Sequence, residues 1–591
     1  MIIDALNRYY KILVQEPDKD VPLQDYCKAS VSFALNLSPD GEILDIIDLR
    51  RSSKGNKLIP IEMEVPEQVK RSSGIAPNLM CDNSTYVLGI DAKGNRERAI
   101  EAFMAFRELH KRVLEEVNSD PGVKALLQFL DKWEPKKASS HPKLSNYLED
   151  LCTGGNIVFK LDGETGYIHQ YSAVRNAWEK YCSGSEDEII SQCLVTGKMG
   201  PIARLHQSIK GVKDAQSSGA SLISFNLEAF KSYGKDQSYN APVSKSAAFA
   251  YTTILNYMLN NPKQRIQIGD ATTIFWAECI GGIYEDLMME LFSPTYENND
   301  KDEKRQDNFM RHDSVTVQLV RDILIRIREG KQISDAMTNI NPDVRFYVLG
   351  LSPNASRISI RFWHADRFGV FVERIGQHYR DMEIVRHDKE PEFIPVYRIL
   401  NETVPKKGKE KKIPPLFGGA VMRSILMGTC YPQTLYTSML LRIRADQYVN
   451  YVRAAVIKAC LLRNARIQGN KEKEVILTMS LNEQNTNTAY RLGRLFALLE
   501  KAQQDANPNL NTTIKDRYFG SASATPRAVF PILLRLVQYH IAKSDYGFVV
   551  DKKIEDIMDG LDGFPSYLNL EEQGLFVLGY YHQRHALYQK N

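Results

Sequence analysis

Residues 31–49 read Val31-Ser32-Phe33-Ala34-Leu35-Asn36-Leu37, then Ser38-Pro39-Asp40-Gly41, then Glu42-Ile43-Leu44-Asp45-Ile46-Ile47-Asp48-Leu49. Apolar and polar residues alternate in both outer runs, which is the period of a β-strand with one buried face. The Ser-Pro-Asp-Gly tetrapeptide between them has the composition of a tight turn. The sequence therefore predicts an antiparallel hairpin here.

The residues that follow this hairpin add further strands and a helix. Residues 58–63 predict a third strand, and residues 84–89 predict a fourth. Residues 96–117 predict a helix, because their apolar side chains recur at helical spacing. The first part of the chain is therefore expected to be mixed α/β.

One loop of this region carries an unusual set of residues, Lys70-Arg71-Ser72-Ser73-Gly74-Ile75-Ala76-Pro77-Asn78. Such a loop can bring backbone N–H groups and side-chain donors close to phosphates or base edges. Most loops of this composition are ordinary polar loops that contain Lys and Arg without a binding role. Composition alone favours that second interpretation.

The middle of the chain predicts a second mixed region. A polar connector at 135–142 precedes a predicted strand at 156–161. A glycine- and serine-rich segment follows at 196–245, and a helix is predicted at 245–259. An irregular segment of such length is uncommon unless it is functional or disordered. Its small residues suggest a surface that another molecule approaches closely.

Two strands are predicted at 343–351 and 357–363, joined by a turn at 352–355. On the second strand, alternation predicts a basic face with Arg357, Ser359 and Arg361, and an apolar face with Ile358, Ile360 and Phe362. A long helix is predicted at 433–463.

The predicted fold class is α+β with several domains: mixed α/β N-terminal and central regions and a C-terminal α-helical bundle. The helices of the bundle are predicted near 481–504, 526–543, 551–562 and 569–589, with Thr525 and Pro526 as N-cap and first residue of the second. Changes in composition place the domains at 1–145, 146–300, 309–478 and 479–591, with linker composition at 294–308.

Bulk composition excludes some classes of protein. The 591 residues carry a net charge of only +4, so the chain as a whole is not a polybasic nucleic-acid binder. Its eight cysteines form no C-x-x-C pair, which argues against a zinc ribbon and suits a reducing compartment. The sequence shows neither a signal peptide nor a membrane-spanning run, so a cytoplasmic protein without membrane association is expected.

Positive charge is nevertheless concentrated locally. Residues 402–475 contain fourteen Lys and Arg against five Asp and Glu, including a basic loop at 406–412. Residues 479–543 contain eight bases and four acids, whereas 544–572 contain two bases and eight acids. A solvated helix face is the usual explanation of such charges, but the scarcity of balancing acids favours a polyanionic partner.

A search for catalytic motifs finds no convincing active site. None of the Gly-Lys pairs is followed by Ser or Thr, so a Walker A loop is absent, and no H-E-x-x-H occurs. Asp270 with Glu278, and His364 with Asp366, are the nearest approach to a nuclease or metal site, but each pair lacks companions at suitable spacing. No catalytic residue, metal or cofactor is therefore expected.

Several blocks of the sequence together resemble the large subunit of the type I-C CRISPR interference complex (Cascade). They span most of the chain and are long and unusual. The blocks are Ser32–Leu35, Asp45–Arg50, Val65–Ile75, Pro77–Asn78, Cys81–Asn83, Ile209–Val212, Ala215–Ala220, Ser224–Asn226, Ser232–Gly234, Asn240–Ser244, Leu349–Ala355, Arg357–Ser359, Asp516–Pro526 and Gly579–Arg584.

The resemblance implies a non-catalytic subunit of an RNA-guided DNA-binding complex. Its expected partners are the guide RNA complex, double-stranded target DNA, the Cascade backbone and guide-end subunits, small subunits and a separate helicase-nuclease. The N-terminal part would recognise a short protospacer-adjacent motif in duplex DNA. The C-terminal bundle would resemble the small subunits, and in this family an internal start can produce it separately, for which Met479 is the candidate position.

Candidate site residues follow for two roles. Motif recognition requires donors at base edges and phosphate anchors, for which the candidates are Lys70, Arg71, Ser72, Ser73, Gly74, Asn78 and Asn83. A displaced single strand requires a basic groove with aromatic residues, for which the candidates are Arg442, Arg444, Arg453, Arg491, Arg494, Arg517 and Tyr518. A metal-dependent nuclease and a scaffold that contacts only proteins are the two rival functions.

Overall fold

The computed structural model describes residues 1–16, 21–52, 58–69, 71, 74–90, 96–152, 155–183, 188–294, 314–329, 331, 340–405, 413–414, 416–508, 510–544 and 547–588. These residues form two compact units. The first contains Met1, Ile3–His206 and Phe225–Ile254, and the second contains Ile2, Gln207–Ser224 and Leu255–Asn591. The division into four domains stays a prediction, as does the linker at 294–308, which except for Pro294 lies outside the described residues.

The first unit is built around one sheet covered by helices. The strands of the unit are β1 Tyr26–Leu37, β2 Ile43–Asp48, β3 Arg51–Ser52, β4 Leu58–Ile59, β5 Ile61–Pro66, β6 Asp82–Asn83, β7 Asn156–Leu161, β8 Ile190–Gln192 and β9 Met199–Pro201. The main sheet contains β1, β2, β5, β6 and β7, while β3 pairs with β4 and β8 pairs with β9. The helices of the unit are α1 Ile2–Leu13, α2 Ser84–Val87, α3 Arg96–Leu114, α4 Pro121–Lys132, α5 Leu148–Cys152, α6 Ser172–Ser183 and the first part of α7 Lys245–Asn260.

The predicted hairpin is confirmed, and its first strand organises the sheet. Strand β1 pairs antiparallel with β2 and β5 along one side, and parallel with β7 along the other. Strand β6 continues the sheet beyond β7. At the turn, the N–H of Gly41 donates to the carbonyl of Ser38 at 2.9 Å.

Strand β1 is buried on both faces, whereas the alternation predicts one buried face. Phe33, Leu35 and Leu37 pack into the core below helices α3 and α4, but Val31 and Ala34 belong to a second cluster. The register against β7 shifts between Val31 and Phe33, which marks a β-bulge. A bulge inserts one residue and exchanges the faces of the strand, so a period of two cannot place Val31 correctly.

The strand predicted at residues 84–89 is wrong, because Ser84–Val87 form the short helix α2. Asn83 caps this helix, since its Oδ1 accepts the N–H of Thr85 at 3.0 Å. A local cap therefore overrides the β-propensity of Thr85, Tyr86 and Val87.

The second unit combines a four-stranded sheet with many helices. The strands are β10 Arg265–Ile268, β11 Ala271–Ala277, β12 Arg345–Asn354 and β13 Arg357–Arg367, paired antiparallel in that order. The helices are α8 Ile283–Phe292, α9 Ser314–Arg328, α10 Phe368–Met382, α11 Val396–Asn401, α12 Phe417–Met427, α13 Gln433–Asp446, α14 Tyr451–Ile467, α15 Lys471–Ile476, α16 Thr488–Ala506, α17 Ile514–Ala522, α18 Pro526–Lys543, α19 Gly547–Met558 and α20 Leu570–Tyr588.

The apolar face predicted for strand β13 is only partly present. Ile358 and Phe362 are buried, but Ile360 is 44% exposed. The register against β12 shifts between Gly350 and Leu351, which face Phe362 and Ile360, so Arg361 is the inserted residue of a bulge. The bulge interrupts the alternation on which the prediction rests.

The helix predicted at 433–463 is two helices, α13 and α14. The break contains Gln447 in the left-handed region, with φ of +52°, and Asn450, whose Oδ1 accepts the N–H of Arg453 at 2.8 Å as an N-cap. At the start of α18, Pro526 occupies the first turn as predicted, but the Thr525 hydroxyl donates to the Ser521 carbonyl at 3.2 Å and does not cap the helix.

The predicted α+β class with C-terminal helices is confirmed. Helices α16 and α20 approach most closely at two glycines: a Cβ on Gly493 would lie 2.0 Å from the Phe576 carbonyl oxygen, and one on Gly579 would lie 2.1 Å from that of Tyr490. In the part of the chain that the structure describes, no helix has the length and apolar character needed to cross a bilayer.

We expect Gly41→Ala to destabilise the first unit by about 2–4 kcal/mol. Gly41 has a φ of +82°, and a Cβ there would lie 2.5 Å from the backbone nitrogen of Phe129. Urea unfolding measures the effect. Gly163→Ala is the matched control, because Gly163 has a φ of +79° but no atom within 4 Å of an added Cβ, so it isolates the conformational cost of about 1 kcal/mol. Equal losses in the two variants would contradict the steric argument.

Candidate nucleic-acid interface

The candidate loop connects β5 to β6 and comprises residues 67–81, here called the β5–β6 loop. Pro66 pairs with Tyr26 at the start of β1, and Asp82 pairs with Ile157 near the start of β7. Since β1 and β7 are parallel, the loop passes along one end of the sheet. Within it, residues 70, 72 and 73 lie outside the described residues, so the structure does not describe the candidates Lys70, Ser72 and Ser73.

An ion pair closes the loop at its base. Both terminal nitrogens of Arg71 donate to the Asp82 carboxylate, Nη1 to Oδ1 at 2.9 Å and Nη2 to Oδ2. Its Nε donates to the Ala76 carbonyl at 2.6 Å, and its guanidinium lies 3.9 Å from the centre of the Tyr86 ring. Every nitrogen of the guanidinium is therefore used within the protein. A bidentate pair of this kind fixes orientation as well as charge.

Asp82 is the centre of this arrangement. Its side chain is only 1% exposed, and it also accepts the backbone N–H groups of Asn78 at 2.9 Å and Asn83 at 2.8 Å. Burial raises the pKa of the Asp82 carboxyl, while the hydrogen bonds from Arg71 and these N–H groups oppose that rise. The carboxylate thus accepts four hydrogen bonds, three from the loop residues Arg71 and Asn78 and one from Asn83 in β6.

Other side chains fix the remainder of the loop. The buried Asn78 accepts the N–H of Val69 at its Oδ1, 2.9 Å away, and so ties the loop's two arms together. Met80, with a φ of +62°, donates its N–H to Nε2 of the buried His110 at 2.9 Å. The loop is therefore preorganised on both sides of residues 70–74.

The described candidates of this loop fall into two groups, those that bond within the protein and one that is exposed. Arg71 and Asn78 are engaged inside the loop, and Asn83 caps α2, so all three position the loop. Gly74 is exposed, has a φ of +84°, and an added Cβ would meet no atom within 4 Å. A second molecule can therefore approach the backbone at Gly74 closely.

Two candidates for the displaced strand, Arg453 and Arg494, are buried, which argues against the predicted contact with DNA. Arg453 is 0% exposed and forms ion pairs with Asp446 at 2.6 Å and Glu402 at 2.8 Å. Arg494 is buried and donates to Gln583 at 3.0 Å and to the Glu483 carbonyl at 3.2 Å. Neither guanidinium lies on a surface that DNA could contact, because each compensates groups of the interior.

The other five candidates are at least partly exposed. Arg442 pairs with Asp446, Arg444 donates to Gln573, and Arg491 donates to the carbonyls of Asn485 and Gly560. Arg517 is exposed on α17, and its guanidinium lies 5.4 Å from the centre of the half-buried Tyr518 ring. Arg517 and Tyr518 thus form a cation next to an aromatic ring at the surface, as a single-strand site requires.

The acidic residues of the rival nuclease hypothesis have partners within the protein. Asp270 accepts Arg361 Nε at 3.0 Å, the Ser352 hydroxyl at 3.2 Å and the N–H of Leu416 at 3.2 Å. Glu278 accepts the Tyr347 hydroxyl, and Asp366 pairs with Arg374 at 3.1 Å. Desolvation lowers the pKa of His364 to about 4. Among the described residues, no group of three or more His, Cys, Asp and Glu side chains could hold a metal ion.

Sequence reasoning missed the residues that shape the loop, namely Asp82, Tyr86 and His110. Asp82 lies in the Cys81-Asp82-Asn83 block of the family resemblance, and that block was the only signal that pointed to it. His110 belongs to a predicted helix 30 residues from Met80, and no periodicity identifies such a long-range acceptor.

Comparison with known families supports the resemblance that the sequence blocks indicate. A model of the family described as CRISPR-associated protein (Cas_Csd1) matches residues 6–588. The chain belongs to the Cas_Csd1 family. No curated protein matches the chain. The resemblance to a type I-C large subunit is thereby confirmed, and membership of the Cas_Csd1 family supports a role as large subunit of a Cascade complex.

We expect Arg71→Ala to destabilise the first unit by about 2–3 kcal/mol, because it leaves the buried Asp82 carboxylate without its cation. The value is below that of a fully buried pair, since the Arg71 side chain is 23% exposed. Urea unfolding measures it, with amide hydrogen exchange of residues 76–83 as the local readout. The double variant Arg71→Ala/Asp82→Asn should lose less than the sum of the single losses.

The exposed pair Lys111–Asp131, 2.6 Å apart, provides the control. Lys111→Ala should cost less than about 1 kcal/mol. Strict additivity of the Arg71 and Asp82 variants would show that the two side chains are not coupled.

We expect the His110 ring to stay neutral at pH values at which an exposed histidine is already protonated. Burial lowers its pKa from 6.5 to about 4, so its contribution to stability is complete above pH 6.5 and is lost as the pH falls through 4. A nitrogen NMR titration of selectively labelled protein measures this pKa. His110→Gln, which cannot be protonated, should lose less stability between pH 7 and pH 5. A His110 pKa near 6.5 would contradict the assignment.

Proposed function

We propose that this chain is the non-catalytic large subunit of a guide-RNA-directed DNA surveillance complex. In this proposal the β5–β6 loop recognises the protospacer-adjacent motif in duplex DNA, and the C-terminal helices stabilise the displaced strand. A separate helicase-nuclease is then recruited to cut. The observation that carries the proposal is the Arg71–Asp82 ion pair, here called the clamp, which fixes the base of the β5–β6 loop at one end of the sheet.

The clamp supports motif recognition because base readout needs donors at fixed positions. Hydrogen bonds to base edges discriminate only when donor geometry is set before contact. The clamp fixes Arg71, and Asn78 ties the opposite arm to Val69. Arg71 therefore acts as a positioning residue, and the proposed DNA contacts are the exposed backbone at Gly74 and the cation of Lys70, which lies outside the described residues.

The displaced strand has a smaller set of candidate contacts than the sequence predicts. Arg517 and Tyr518 offer a cation and a ring at the surface, with Arg442, Arg444 and Arg491 as further partly exposed cations. Protein contacts of this type hold the unpaired strand while guide–target pairing reads the sequence. The expected partners are guide RNA, target DNA, the Cascade backbone and guide-end subunits, small subunits and the helicase-nuclease.

The proposal that the chain is non-catalytic is supported by the partners of the candidate catalytic carboxylates. Asp270 and Asp366 are engaged by arginines, and Glu278 is engaged by a tyrosine hydroxyl. Carboxylates whose oxygens are used in this way are poorly placed to activate water. Metal-dependent cleavage of labelled duplex by the purified chain would overturn this part.

The test uses the assembled complex with a matching target, with and without the motif. We expect motif-dependent binding, and we expect Lys70→Ala to weaken it while reducing the slope of log Kd against log salt by about 1. Lys552→Ala, an exposed lysine in the acidic segment 544–572, is the control and should change neither quantity. Unchanged affinity and salt slope in Lys70→Ala would remove the loop from the DNA interface.

The same complex tests the displaced strand through the chemical reactivity of unpaired thymines. Arg517→Ala should leave motif-dependent capture intact but shorten the lifetime of the opened strand, because it removes a cation beside Tyr518. Identical lifetimes in Arg517→Ala and Lys552→Ala would contradict the role of this helix.

A further inference from the structure

A tight turn in the glycine- and serine-rich segment presents one tyrosine to solvent. Tyr233 is 98% exposed and occupies the left-handed region, with a φ of +51°. Gly234 follows with a φ of +70°, and the N–H of Lys235 donates to the carbonyl of Ser232 at 3.0 Å. Positive φ at both central positions is the pattern of a type I′ turn.

Tyrosine is an unfavourable residue for this position. Type I′ turns prefer Asn, Asp or Gly at the first central position, because other side chains are strained at positive φ. The Tyr233 ring gains almost no burial in return within the described chain. Residues held in such conformations without compensating packing are concentrated at functional sites.

The turn is held rigidly by one asparagine. Asn240 accepts the N–H of Ser232 at 2.9 Å through Oδ1, and its Nδ2 donates to the carbonyls of Lys235 and Gln237, each at 2.9 Å. Lys231 pairs with both Glu228 and Asp236 at 2.8 Å, so one lysine partly offsets the two acids beside the turn.

Two exposed cations, Lys235 and Arg204, belong to the same small structure as this turn. Lys235 ends the turn, and Arg204 is joined to its base, since Arg204 Nε donates to Gln237 Oε1 at 2.6 Å and its carbonyl accepts the N–H of Ser238 at 3.3 Å. Within the described part of the chain, neither cation has an ion-pair partner within 4 Å. An exposed aromatic ring in the same turn region as cations without ion-pair partners is an arrangement suited to unpaired nucleotides.

We infer that Tyr233 stacks on an unpaired nucleobase, with Lys235 and Arg204 as contacts for the neighbouring phosphates. The ligand is a single-stranded nucleotide, whose base offers a π-face that a paired and stacked base does not. The inference rests on the proposed function, because the complex supplies two sources of unpaired nucleotides, the guide RNA and the opened target DNA. The preformed turn lowers the ordering cost of binding.

The test is made in the assembled, guide-loaded complex. Tyr233→Asn removes the ring and keeps a residue suited to positive φ, so the backbone is preserved. We expect it to weaken binding of the nucleic acid that Tyr233 contacts by roughly 5- to 150-fold, the range for loss of one base stack. Tyr233→Trp retains a stacking surface and should stay within about threefold of the wild type. Tyr567→Asn, which removes another exposed tyrosine, should have no effect.

Photocrosslinking identifies the source of the nucleotide. A benzophenone amino acid at position 233 should crosslink either radiolabelled guide RNA or radiolabelled target DNA, and the crosslinked nucleic acid should be the one whose affinity falls in Tyr233→Asn. Unchanged affinity for both nucleic acids, or crosslinks only to protein subunits, would overturn the inference.

The outcomes also separate this inference from the proposed function. If the wild-type complex binds target DNA in a motif-dependent manner but Tyr233→Asn behaves like the wild type, only the inference fails. If the wild-type complex shows no motif-dependent binding, the proposed function fails. Crosslinking to guide RNA and the affinity for guide RNA then still test the role of Tyr233.

Discussion

The buried carboxylate of Asp82 is the constraint on which the candidate interface depends. Removing a charge from water is costly, so a side chain that is 1% exposed needs a cation and further donors. Arg71 and the N–H groups of Asn78 and Asn83 supply them. Because Arg71 and Asn78 come from the two arms of the β5–β6 loop, compensating this one charge also fixes the path of the loop. Arg71, the cation that composition marks as a nucleic-acid contact, is therefore committed to the Asp82 carboxylate and to the Ala76 carbonyl.

Local chemistry made part of this fold predictable. The hairpin at 31–49 follows from alternation and from a turn whose glycine needs positive φ, and both conditions are local. The prediction fails where one residue changes the local geometry. Bulges at β1 and at Arg361 exchange strand faces, Asn83 caps a helix in a β-prone stretch, and Gln447 breaks a continuous helical pattern. Sequence periodicity averages over such single positions.

The candidate site was less predictable than the fold, because charge counts do not report burial. The excess of bases at 402–475 includes Arg453, Lys458 and Arg463, all of which are buried. Asp381, itself buried, accepts Arg463 at 3.0 Å and Arg466 at 2.9 Å, and its carbonyl accepts Lys458 at 3.2 Å. Desolvation lowers the pKa of Lys458 to about 8. Three of the fourteen bases therefore stabilise the interior and are not exposed to a polyanion, and the basic loop at 406–412 lies outside the described residues.

The two places proposed to contact nucleic acid are both exposed groups held by buried or backbone-bonded side chains. The β5–β6 loop is held by Asp82 and Asn78, and the turn at Tyr233 is held by Asn240. In both places short polar side chains satisfy backbone groups of an irregular segment, which fixes its conformation before any ligand arrives. The loop can then offer donors to base edges, and the turn can offer a ring to a base face. These are complementary contacts, since hydrogen bonding discriminates between bases whereas stacking accepts any of them.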